Sequence, residues 1–194
     1  MLVLGVDPGL TRCGIGVVEA QGLKMRFAGM KVLSTSPAQK QEDRLLRLYE
    51  GLGEEVSRFK PDIVSIEKVF AQKNTNTVLG TAQVAGLAML VAAQRSLPTA
   101  MHTPTEVKLA ETGNGMAKKG QIPRMVARFL SLPSLPSPFD GADALAQAIC
   151  HILHPEESSV FGLMDTGKSE AQKKWIEASE KFKASKNKMR GRGM

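Results

Sequence analysis

Cysteine is scarce: Cys13 and Cys150 are the chain's two, in 194 residues. Two cysteines build no disulfide framework, and both sit in apolar segments, where they read as small buried hydrophobes. Long apolar runs are missing too. The N-terminal run, Leu2 to Val6, is too short to cross a bilayer. The start lacks the charged region of a secretion signal. No membrane association is expected, and a reducing cytoplasm is the expected compartment. No internal repeat appears. Neither His151 nor His154 follows a zinc-binding pattern, and both read as helix-end surface residues.

The chain has a 42% hydrophobic content, enough for one domain with a sizeable core. The formal net charge is +7, which favours an anionic partner, with nucleic acid the expected one. Part of the excess lies in the tail, where Lys181, Lys183, Lys186, Lys188, Arg190 and Arg192 follow the last acid, Glu180.

In order, residues 2–7 read as a buried central strand, 14–19 as its hairpin partner and 25–33 as a third antiparallel strand. Residues 43–59 read as a helix with Leu45, Leu48, Leu52 and Val56 on one face. Pro61 introduces a strand ending at Glu67, and 70–76 is a polar loop. The 77–95 segment is a helix apolar on nearly every side, so it is buried on more than one side, either within its own domain or against another subunit. A short strand at 99–103, a helix from Pro104 to Glu111, a basic loop at 113–120 and a helix at 122–130 follow. A proline-rich connector leads to a last helix at 140–153. The pattern indicates an α/β domain with a mixed sheet over 1–154, then a charged extension over 155–194, partly helical and disordered from Ala184.

Asp7 ends the first apolar strand and Glu67 ends the 61–67 strand. Asp140 and Asp143, three apart and so on one helix side, open the last helix. Each has an ordinary reading. Asp140 suits an N-cap and Asp143 a first-turn acid. Glu67 suits a pair with Lys68 or Lys73, and Asp7 a turn acid before Pro8-Gly9. Together, four acids at the ends of buried elements suggest one metal site, because ionised carboxylates there need a cation. Carboxylate oxygens suit Mg²⁺ or Mn²⁺. Four can hold two ions roughly 3.5–4 Å apart for in-line phosphoryl displacement.

Three segments, Gly5-Val6-Asp7-Pro8-Gly9, Ile66-Glu67-Lys68-Val69-Phe70 and Ala142-Asp143-Ala144-Leu145-Ala146, occur in order with a basic stretch over 115–125. From Met1 to about His154 the chain resembles the RuvC family of Holliday-junction resolvases, within the RNase H-like superfamily. The resemblance implies a five-stranded mixed sheet flanked by helices. It implies a homodimer that cuts four-way DNA junctions at symmetric points, serving recombination and repair, with water attack leaving a 5′-phosphate and a 3′-hydroxyl. By motif position Asp7, Glu67, Asp140 and Asp143 are the metal-binding catalytic acids. Lys108 and Lys119 stand at DNA-contacting positions, and Phe70 at the position of an aromatic that stacks on a base near the junction centre. The 77–95 helix matches the family's dimer helix, and a branch-migration complex of RuvA and RuvB is an implied partner. Gly141 is smaller than the residue expected there, and nothing carries over to 155–194.

Two other classes stand beside this one. An ATPase of the actin and sugar-kinase type shares the sheet and an opening strand–acid–glycine loop, but it needs two such domains. A non-catalytic junction binder has no use for four acids that repel phosphate.

Overall fold

Val3, Leu4 and Val6 are completely buried because the first strand, β1 (Leu2–Asp7), lies at the centre of a sheet covered on both faces. The computed structural model describes residues 1–68, 75–112 and 119–155; of 75–77, 111, 112 and 119 it describes the backbone. The chain continues through β2 (Arg12–Gln21), β3 (Lys24–Ser34), α1 (Gln41–Phe59), β4 (Ile63–Glu67), α2 (Thr75–Ala93), β5 (Thr99–His102) and α3 (Pro104–Thr112). A 3₁₀ turn (Lys119–Gln121), α4 (Ile122–Phe129) and α5 (Phe139–Leu153) follow. The five strands lie in the order β3-β2-β1-β4-β5. β1–β2 and β2–β3 are antiparallel hairpin neighbours, whereas β1–β4 and β4–β5 are parallel and need crossovers.

Successive side chains of a strand point to opposite faces, and this divides the core in two. Leu4 and Val6 of β1, with Val64 and Ile66 of β4, pack beneath Leu48, Leu52 and Val56 of α1 and Val84, Ala88 and Val91 of α2. Val3 and Val18 face the other way, onto Leu145 and Ile149 of α5 and Val126 of α4. Buried Arg44 of α1 ties the loop after β1 to the end of β3. It donates to the hydroxyls of Thr35 and Thr11, both at 2.9 Å.

The strands and helices expected up to residue 153 are present, with ends moved by a few residues; α2 begins at Thr75, inside the segment read as loop. Two readings need correction. Helix α5 starts at Phe139 with Pro138 at its N-cap, so Asp140 is no cap; it lies in the first turn. His151 is a core residue, 4% exposed, because it lies on the side of α5 that faces the sheet. The 77–95 helix, read as buried within its own domain or against another subunit, turns its Ala85 side inward. Ala85 is buried against the chain's own core, while Leu79 (59% exposed), Ala82 and Leu90 (48%) form the outward stripe of α2. Gly141, unexpectedly small, fits because a Cβ there would strike the Met30 thioether. No described helix is long and apolar enough to cross a membrane. The extension lies outside the described residues from 156 onward.

Candidate active site

Strand parity puts Asp7 and Glu67 together. Residues 3, 5 and 7 of β1 face α5, and so do residues 63, 65 and 67 of β4. The parallel register Val6↔Ile66 makes Asp7 and Glu67 neighbours at the C-terminal ends of adjacent strands. Glycines then let α5 descend onto them. A Cβ on Gly5 would collide with the Ala144 carbonyl, one on Gly14 with the Asp140 carbonyl, and one on Gly16 with the Leu145 amide. The head of α5 therefore rests almost backbone to backbone on β1 and β2, and it carries Asp140 and Asp143 to the strand ends.

Asp7, Glu67 and Asp143 line a cavity of about 210 Å³ together with Lys108, Val107 and Gln147. Burial pushes the Asp7 carboxyl up to about 8; the charges of Glu67 and Asp143, a hydrogen bond with Glu67 and the charge of Asp140 act the same way. Without a cation, this many acids cannot all stay ionised. Burial also pushes the adjacent Cys13 thiol up to about 12, so it offers no thiolate nucleophile.

Asp140 is held differently. Its Oδ2 accepts from Arg12 Nε at 2.7 Å, with both side chains partly exposed.

The donor set fits a hard divalent cation, since carboxylate oxygens are the ligands Mg²⁺ and Mn²⁺ favour. A bound cation would offset the burial and like charges that raise the Asp7 carboxyl. Among the described residues no three His, Cys, Asp or Glu side chains already stand in an arrangement that could hold one.

Of the other expected site residues, Lys108 of α3 joins the acids at the cavity. Lys119 opens the 3₁₀ turn, and its side chain lies outside the described residues, as does Phe70. Three residues escaped the sequence reading. Gln147, one turn beyond Asp143, donates to the Ile66 carbonyl at 2.8 Å and lines the cavity; a lone amide in an apolar helix was its signal. Arg12 had none, since its partner is 128 residues away. His102, paired in register with Glu67, lies 3.2 Å from His151 across nitrogen atoms Nε2 and Nδ1. Burial, then the nearby His151, pushes His102 down to about 4, and burial lowers His151. Both are therefore neutral packing residues at pH 7.

A mixed five-stranded sheet with helices on both faces, and acids at the ends of two central strands and the head of a helix, defines an RNase H-like protein. Residues 3–151 match the family model described as Crossover junction endodeoxyribonuclease RuvC. The chain belongs to the RuvC family. The protein of that description from Bifidobacterium adolescentis is 57% identical over 182 residues, 93% of this chain and 94% of its own. That similarity necessarily reaches beyond residue 155. The Cutibacterium acnes relative is 52% identical over 151 residues, 77% of each chain. Among solved structures, T. thermophilus RuvC in complex with Holliday junction substrate superposes with a TM-score of 0.76. It is 33% identical, covering 80% of this chain and 94% of its own.

Proposed function

We propose that this protein is a metal-dependent endonuclease that resolves four-way DNA junctions by paired symmetric nicks. The observation that carries the reading is the meeting of Asp7, Glu67 and Asp143 in one cavity with Lys108, in a chain of the RuvC family. Asp7, Glu67, Asp140 and Asp143 are the residues to hold Mg²⁺, or Mn²⁺ in its place, with two ions as the working number. Bound ions would supply Lewis-acid activation of water and neutralise the departing oxygen. The chain's own residues supply the frame. Asp7 and Glu67 are fixed by adjacent strands, Asp143 by a helix seated on glycine, and Gln147 ties that helix to β4. Lys108, at the cavity wall, is placed to offset charge on the scissile phosphate. Lys119 is proposed as a second phosphate contact, and Phe70 as the aromatic that stacks on a junction base.

Two symmetric nicks need two sites, which a two-fold homodimer provides. The outward stripe of Leu79, Ala82 and Leu90 on α2 is the surface proposed for it. The cytoplasm is the proposed compartment, and RuvA and RuvB are proposed partners. An ATPase of the sugar-kinase class has no comparable support, and a junction binder without catalysis leaves the acid cluster without a use.

Incubation with a synthetic four-way junction and mapping of the nicks tests the reading. Symmetric cuts in Mg²⁺ or Mn²⁺, with binding alone in Ca²⁺, are expected, because Ca²⁺ is larger and looser in geometry. Junction binding without a nick in any of these ions would overturn it.

A further inference from the structure

Asp140 is held differently from the other three acids. Asp7, Glu67 and Asp143 line the cavity, whereas Asp140 does not; its carboxylate is bound by Arg12 at 2.7 Å. Arg12 opens β2 next to a well-anchored loop. The Thr35 hydroxyl donates to the Leu10 carbonyl at 2.6 Å, and the Thr35 amide to the Thr11 carbonyl at 3.0 Å. Arg44 clamps Thr11 and Thr35 from α1. The backbone of Arg12 is thus fixed, while its side chain is 47% exposed and reaches Asp140. A guanidinium suits a carboxylate and a phosphate equally well.

We propose that Arg12 is a positioning residue acting through Asp140. It holds this carboxylate in an ion pair. It releases Asp140 toward an incoming ion and takes up a phosphate of the DNA in exchange. The idea rests on the reading of Asp140 as a metal ligand. It also accounts for an ion pair at the rim of a cluster whose other members line the cavity. The exchange is easy in energetic terms, since a partly exposed pair shifts an equilibrium by no more than about fivefold.

The test measures Mn²⁺ affinity without DNA, by electron paramagnetic resonance, for the native protein, Arg12→Gln, Asp140→Asn and the double variant. Arg12→Gln should bind Mn²⁺ about two- to fivefold more tightly. Asp140→Asn should bind it more weakly, and the gain from Arg12→Gln should vanish in the double variant, because it acts through that carboxylate. Junction affinity in Ca²⁺ should fall in Arg12→Gln, with the slope of log affinity against log salt reduced by about 0.9 for one lost phosphate contact. Unchanged or weaker Mn²⁺ binding in Arg12→Gln, with Asp140→Asn impaired, overturns the positioning role and leaves the metal site standing. A gain that survives in the double variant overturns it too, reducing Arg12 to a general charge. Unchanged Mn²⁺ affinity in Asp140→Asn removes the metal-ligand reading and this inference with it. An unaltered salt slope overturns the phosphate exchange.

Discussion

Gly14 lies opposite Asp7 across the β1–β2 ladder and directly beneath the backbone carbonyl of Asp140. A position without a side chain thus brings the head of α5 within reach of the strand end. Gly14→Ala should lift α5, because the new methyl meets backbone and not a yielding side chain. Overpacking of this kind costs about 1–3 kcal/mol, measurable by urea unfolding, and cleavage should fall further than the residual folded fraction explains. Native stability and rate in Gly14→Ala would mean the glycine contact does not set the site.

Asp7→Asn should abolish cutting while leaving junction binding intact or tighter, since the amide keeps the shape and loses the charge. It should also change the pH dependence of stability. In the folded, metal-free protein the Asp7 carboxyl is raised to about 8, against 3.8 for its ordinary value. The folded state therefore holds this proton more tightly than the unfolded chain. The stability it contributes is complete below about pH 4 and is lost as pH rises towards 8. With EDTA present, the thermal midpoint of the native protein should decline across that window more steeply than that of Asp7→Asn. Parallel pH profiles would show that Asp7 is not the group responsible.

Lys108→Ala should slow cleavage far more than it lowers the thermal midpoint, as the side chain borders the acid cavity. Lys119→Ala should behave alike if it contacts phosphate. Phe70→Ala should slow junction cutting through lost stacking, worth about 1–3 kcal/mol per base. Single-turnover rates on a fixed junction separate these roles, and a Lys108→Ala rate equal to the native one would reduce the lysine to an ordinary surface charge.

Leu90→Glu and Ala85→Glu should fail differently. Leu90 is on the outward stripe of α2, so its charge should yield a folded monomer. Ala85 is 3% exposed against the chain's own core, so a glutamate there should unfold the domain. Sedimentation and circular dichroism distinguish the outcomes. A native chain that sediments as a monomer would sink the dimer itself.

Deleting Ala184–Met194 should weaken DNA binding without moving the nicks. The segment has Lys186, Lys188, Arg190 and Arg192 and no acid. Losing four phosphate contacts would lower the salt slope by at most about 3.6. Equal slopes for both chain lengths would show that the tail does not engage DNA.

Leu2 to Asp7 could be read as a buried strand with an acid at its tip from six letters alone, because an apolar run and its end are local properties. Glu67 after its own apolar run, and Asp140 and Asp143 at the head of an apolar helix, were legible for the same reason. The motifs around them also carried the family resemblance. Sequence spacing did not say that Asp7 and Glu67 share a sheet face; that needed the parallel register of β1 with β4, strands 56 residues apart from end to start. Nor could it separate Ala85 from Leu90, since a helix apolar all round has no polar side to show which face turns inward. His151 looked like a helix-end residue until β5 brought His102 against it. Arg12 and Asp140 meet because α5 folds back over β2, so their bond exists only in the assembled sheet. Chain-local chemistry set each element and its acids; the order of the strands and the bare glycine surface beneath α5 decided which of those acids stand together.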